Sequence, residues 1–142
     1  MSSSTSLQTS FMQSYNKPIP LTDAQFAGVA ITRFITRMCK ANMSEPTPSS
    51  DFHSHRMPPM SVKNYMERIV RHCNCSGEAL LCGLVLLLKY SFYSNHPINI
   101  YNAHRLMLTS ILLGIKMRDE VYYSNVYYAR IGGITSKEIN KL

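Results

Sequence analysis

A chain of 142 residues, 45% of them apolar, is long enough for one domain with its own core. Its net charge of +7 is scattered along the sequence, which fits an acidic partner or weak nucleic-acid affinity without specifying either. The four cysteines at 39, 73, 75 and 82 lack disulfide-scaffold spacing, and the amino terminus lacks a leader's basic start and apolar stretch, so the chain reads as soluble and intracellular, in nucleus or cytoplasm.

Residues 1–20 are polar, with Pro18 and Pro20, and predict a disordered tail. Thr22 or Asp23 can cap a helix running to about Met43, which makes 21–44 an N-terminal helix. Phe26, Ala27, Ala30, Ile31, Phe34, Ile35 and Met38 fall at helical spacing on it. Arg33, Arg37 and Lys40 share the opposite face, read as solvated before it is read as a binding surface. Residues 45–60, EPTPSSDFHSHRMPPM, form a proline-rich linker. His53 and His55 within it have no cysteine or carboxylate set placed to complete a metal site.

Ser61 caps the next helix, on which Val62, Tyr65, Met66, Ile69, Val70 and Cys73 repeat at three and four while Lys63, Glu67, Arg68 and Arg71 face outward. Cys73-Asn74-Cys75 lacks the two-to-four-residue spacing of a zinc half-site, so these are read as buried structural cysteines and no metal is assigned. Ser76 caps a leucine-rich helix whose apolar positions, Leu80 to Leu88, point all ways round and demand enclosure by other helices. Its apolar run, Ala79 to Leu88, is about half of what a membrane span needs. Asn95-His96-Pro97 then breaks the chain.

Residues 103–133 are the stretch on which the chain turns. Asn102 offers a side-chain oxygen as N-cap, and Leu106, Met107, Leu108, Ile111, Leu112, Leu113 and Ile115 wrap most of a central helix. It ends in a charged tip, Lys116-Met117-Arg118-Asp119-Glu120. A short helix follows from Ser124 to Arg130, with Tyr127 and Tyr128 adjacent, so that one is expected buried and the other at the surface. Gly132 and Gly133 are expected to supply the φ > 0 positions that end it. Thr135 and Glu138 form a capping box for one more helix, which the sequence leaves after about two turns, as in a fragment.

The class is all-α, with helices packed around the leucine-rich one and no β alternation. Catalysis leaves little trace: Gly132-Gly133 follows a helix instead of opening one, and no carboxylate pair has a spacing for acid–base work. Adjacent His72 and Cys73 point about 100° apart on a helix and cannot pair as base and nucleophile. An enzyme and a cofactor are therefore not expected.

The order Met66-Glu67-Arg68-Ile69, an apolar helix, His104-Arg105-Leu106-Met107-Leu108-Thr109-Ser110, Gly114-Ile115-Lys116 and then YSNVYYARIGG at 123–133 resembles a cyclin box. The likeness is to P-type cyclins, similar to those of fungal phosphate sensing and protist cell cycles. It covers residues 59–142 well and the helix at 22–43 more loosely. The resemblance implies a five-helix box over 61–142, its last helix incomplete, and a regulatory subunit that binds and activates a cyclin-dependent protein kinase. His104, Arg105, Thr109, Tyr127, Tyr128, Gly132 and Gly133 stand at its motif positions. Lys116 matches the lysine that ends the family's third box helix and, with a glutamate on the fifth, binds backbone groups beside the kinase's αC helix. Met117, Arg118, Asp119 and Glu120 match the contact residues after it.

The glutamate's position falls just after Leu142. Lys89 stands where many cyclins carry an acid, and without any tryptophan the substrate-docking patch of mitotic cyclins is not expected. A basic cyclin-like module that binds nucleic acid, or a helical adaptor, is the alternative, but the basic residues are dispersed and form no contiguous face. With the fifth helix short, a groove lined by Leu84, Leu88, Leu108 and Leu112 is expected to open. Either a second copy would then pair there, symmetrically or by exchanging the N-terminal helix through Phe26, Phe34 and Ile35, or another segment of the chain would fold into it.

Overall fold

Five helices begin on a serine or threonine whose hydroxyl accepts a backbone N–H three residues on. These are Thr22 for α1 (Asp23–Ala41), Ser61 for α2 (Val62–Cys73), Ser76 for α3 (Gly77–Ser94), Ser124 for α5 (Asn125–Gly132) and Thr135 for α6 (Ser136–Lys141). The remaining helix, α4, runs Ala103–Arg118. The computed structural model describes residues 22–44 and 50–142, and every regular element among them is a helix. The tail expected at 1–20 and residues 45–49 of the linker lie outside the described residues.

The core gathers on α4, which buries ten of its side chains or glycines, from Ala103 to Ile115. The leucine-rich α3, expected at the centre, is instead one flank. It buries Ala79, Leu80, Gly83 and Leu87 and leaves Leu81 and Val85 each 51% exposed. The reason is a close crossing of α3 and α4. A Cβ on Gly83 would lie 2.9 Å from the Ser110 carbonyl oxygen, and one on Gly114 would collide with the Ala79 carbonyl. Backbones this near settle one side of α3, α1 packs on another, and Leu81 and Val85 lie on the face left to solvent.

α1 packs on α2 and α3 through Ala27, Ile31, Ile35 and Cys39. Phe26, expected inward, is 70% exposed, and Phe34 is exposed too. Gly28 sets that rotation, because its backbone approaches Val70 and Met66 so closely that only small residues fit between. The expected exchange groove is also absent as drawn: Leu108 and Leu112 are buried and Leu84 and Leu88 half-buried.

The described end of the linker is tethered. Ser54 N–H donates to the Tyr101 carbonyl at 2.8 Å, and the His104 Nε2 lies 2.6 Å from the Met60 carbonyl. Asn102 does not cap α4 through its side chain. Its Oδ1 accepts Asn99 N–H at 2.8 Å and its Nδ2 donates to the Pro97 carbonyl at 2.9 Å, so it braces the turn before the helix.

Candidate functional site

The exposed end of α4 brings most of the predicted contact residues together. Lys116 lies in its last turn and donates from Nζ to the Asn125 Oδ1 at 2.6 Å, with the Tyr122 ring 6.0 Å from the ammonium. Asn125, the first residue of α5, in turn donates from Nδ2 to the Asn140 Oδ1 on α6 at 3.1 Å. A chain of neutral amides, Asn125 and Asn140, thus holds the lysine.

Two other charged residues of the tip, Arg118 and Asp119, are engaged within the molecule. Arg118 pairs with Glu78 at 3.3 Å, a solvent-exposed contact of small energetic worth. Asp119 accepts from Ser76 through both of its oxygens. Met117, Glu120, Val121 and Tyr122 face solvent and give the tip an apolar and aromatic flank. Tyr122 and Asn125 were not singled out by sequence reasoning. The Tyr-Tyr-Ser-Asn run that holds them carried the signal, since a short amide just inside a helix start has a fixed direction.

The motif residues divide into supports. Tyr128 is buried, and its hydroxyl accepts the Tyr123 N–H at 3.0 Å. Tyr127 is exposed and donates to the His72 carbonyl at 2.8 Å, so the expected split of the two tyrosines holds. Gly133 adopts φ +70°, as expected. Gly132 does not; it is the last helical residue, and a Cβ there would collide with Leu108 and lie 3.0 Å from the Tyr65 hydroxyl. That hydroxyl donates to the Gly132 carbonyl at 2.8 Å, and burial pushes its pKa up.

Arg105 pairs with Glu138 at 3.0 Å and links α4 to the start of α6. The backbone N–H of Thr135 and the Arg105 guanidinium hold the Glu138 carboxyl below its ordinary pKa. The Thr109 hydroxyl is buried and makes no hydrogen bond among the described residues. Cys73 and Cys75 are buried as expected. Burial pushes their thiol pKa values to about 12 and about 11, so both stay protonated near neutral pH.

A family model described as Cyclin matches residues 3–142. The chain is 39% identical over 94 residues to Cyclin-U4-1 of Arabidopsis thaliana, covering 66% of this chain and 46% of that protein. It is 35% identical over 94 residues to Cyclin-P3-1 of Oryza sativa subsp. japonica, covering 66% and 40%. Against the PHO85 cyclin-like protein psl1 of Schizosaccharomyces pombe it is 30% identical over 97 residues, covering 67% and 40%. The chain therefore spans less than half the length of these relatives.

Proposed function

The chain belongs to the cyclin family, with P-type and U-type relatives, and on that premise we propose that it binds and activates a cyclin-dependent protein kinase. The end of α4, from Lys116 to Glu120, sets the position of the kinase's αC helix. A regulatory and non-catalytic role follows from the same reading. The observation that carries it is the state of Lys116. Its ammonium is exposed at a helix end, held in place by one neutral acceptor, with donors left for a partner's backbone carbonyls. Met117, Val121 and Tyr122 around it supply apolar area to bury against that partner. Holding αC inward completes the kinase's Lys–Glu ion pair and with it the phosphate-binding site.

Nucleus and cytoplasm are where such a partner is met, and the four free cysteines support a reducing compartment. The test is capture of purified cyclin-dependent kinases by the 142-residue chain, with and without Lys116→Ala. Equal capture by both proteins would remove the lysine from the interface, and no capture of any kinase would remove the function.

A further inference from the structure

Between α2 and α5, apart from the α4 tip, lies a cleft of about 480 Å³. Glu67, Arg68, Arg71 and His72 line its α2 wall, and Tyr127 and Arg130 its α5 wall. Positions 67, 68 and 71 share one helical stripe, and 127 and 130 share another, so two helices turn cationic side chains into one space.

None of the three arginines has an ion-pair partner among the described residues, and neither does Glu67. The cleft is held in shape from within. The Tyr127 hydroxyl donates to the His72 carbonyl at 2.8 Å, and Arg68 Nη2 donates to the Arg130 carbonyl at 3.4 Å. Three guanidinium groups against the single carboxylate of Glu67 leave the cleft with a positive local potential, and a bound anion relieves it.

We propose that this cleft docks a phosphorylated side chain on a peptide segment of a partner protein. Guanidinium forks match phosphate oxygens two at a time, and a phosphate near its dianionic form balances two of them. Arg71 and Arg130 are exposed side chains with no hydrogen bond from their guanidinium groups among the described residues, so their forks are open to the ligand. Glu67 decides the class of partner. A continuous polyanion such as a nucleic-acid strand is repelled by it, whereas a peptide can place a basic or hydroxyl-bearing neighbour of the phosphoresidue there. The proposal does not depend on kinase binding, and its test uses no kinase.

The probe is a fluorescein-labelled, position-randomised phosphoserine/phosphothreonine peptide library, followed by anisotropy at about 0.15 M salt so that non-specific charge is screened. Its unphosphorylated counterpart and a single-stranded DNA of similar length are the comparisons. The phosphopeptides should bind at least about tenfold tighter than either. Arg71→Glu and Arg130→Glu should each reduce that affinity about tenfold or more while the circular-dichroism melt is kept. If a reversal unfolds the chain, Arg71→Gln and Arg130→Gln read out the same loss. Equal binding of the unphosphorylated library, unchanged binding by the folded variants, or preference for the DNA would each overturn the proposal.

Discussion

The Asp119 carboxylate, one residue beyond α4, accepts the Ser76 backbone N–H at 3.1 Å and the Ser76 hydroxyl at 2.6 Å. That hydroxyl meanwhile accepts the N–H of Ala79, the third residue of α3, at 3.0 Å. The end of one core helix is thereby clamped to the start of its neighbour. The clamp fixes the direction in which Lys116 and Met117 leave the domain, so a residue that resembles a partner contact has its carboxylate engaged inside the molecule.

Asp119→Ala should accordingly lower stability, because Ser76 loses a charged acceptor while the N-cap bond remains. The expected loss is about 1 kcal/mol, or about 4 °C in the melting temperature of a chain this size. Asp119→Asn should recover part of it through the remaining carbonyl oxygen. A melt of Asp119→Ala indistinguishable from the parent chain would show that the clamp carries no stability.

Gly132 and Gly133 should fail for different reasons. At Gly132 the added Cβ meets Leu108, itself buried, and the Tyr65 hydroxyl, so Gly132→Ala overpacks the core and Gly132→Val does so further. Overpacking of this kind costs about 1–3 kcal/mol. At Gly133 nothing stands within 4 Å of an added Cβ, and only the φ of +70° resists substitution. Gly133→Ala should cost about 1 kcal/mol, and Gly133→Asn less, because asparagine tolerates the left-handed region. Urea unfolding of the four variants checks the order. Gly133→Asn as costly as Gly133→Ala would mean the positive φ is not what the position demands.

The caps and helix order were legible in the sequence because each rests on residues a few positions apart. Thr22 with Gln25 and Thr135 with Glu138 are local chemistry. Rotation about a helix axis was harder. On α1 the pairs Phe26/Ala27, Ala30/Ile31 and Phe34/Ile35 put apolar residues on two faces at once, and the periodicity cannot choose between them. Gly28, seated against Val70 of α2, makes the choice, and that contact spans 42 positions. The leucine run of α3 has no phase at all, so its exposed side was invisible until the Gly83–Gly114 crossing was seen. At the α4 tip the lysine was legible by resemblance. Its acceptor Asn125 lies close in sequence, but the Asp119–Ser76 pair, 43 positions apart, left no local signal.

His104 makes stability depend on pH. Its Nε2 faces the Met60 carbonyl at 2.6 Å and is assigned the proton, which leaves Nδ1 as a buried atom with no partner. Protonating Nδ1 would bury an unpaired N–H and a charge together. Burial accordingly holds the His104 pKa below its ordinary value, with the Met60 bond opposing in part. Below the ordinary histidine pKa the unfolded chain takes up a proton that the folded chain refuses. Stability contributed by this site is therefore complete above that value, falls as the pH drops through it, and levels off below the folded pKa. Urea midpoints should fall between pH 7.5 and 5.5, above the range in which Glu138 titrates. His104→Gln, which keeps a donor for Met60, should flatten that fall. A slope unchanged by the substitution would assign it to other histidines.

Lys116 offers the sharpest division between support and function. If its place is only that of a cation at a helix C-terminus, the exposed side chain contributes a fraction of a kcal/mol, and Lys116→Ala should do nothing else. In the proposed role it is buried against a kinase, where truncating a hydrogen-bonded charge costs about 2–5 kcal/mol of binding, more than tenfold in affinity. The expected outcome is a melt within about a degree of the parent chain together with lost kinase capture. Lys116→Arg should retain part of the binding, since it keeps the charge but not the compact shape of the ammonium. Asn125→Ala supplies the internal control. It frees Lys116 from its one acceptor and also breaks the link to Asn140, so binding should weaken through loss of orientation while the lysine itself stays. Were Asn125→Ala to bind normally and Lys116→Ala to fail, the charge alone would matter. If both bind like the parent chain, the end of α4 is not the kinase-facing surface.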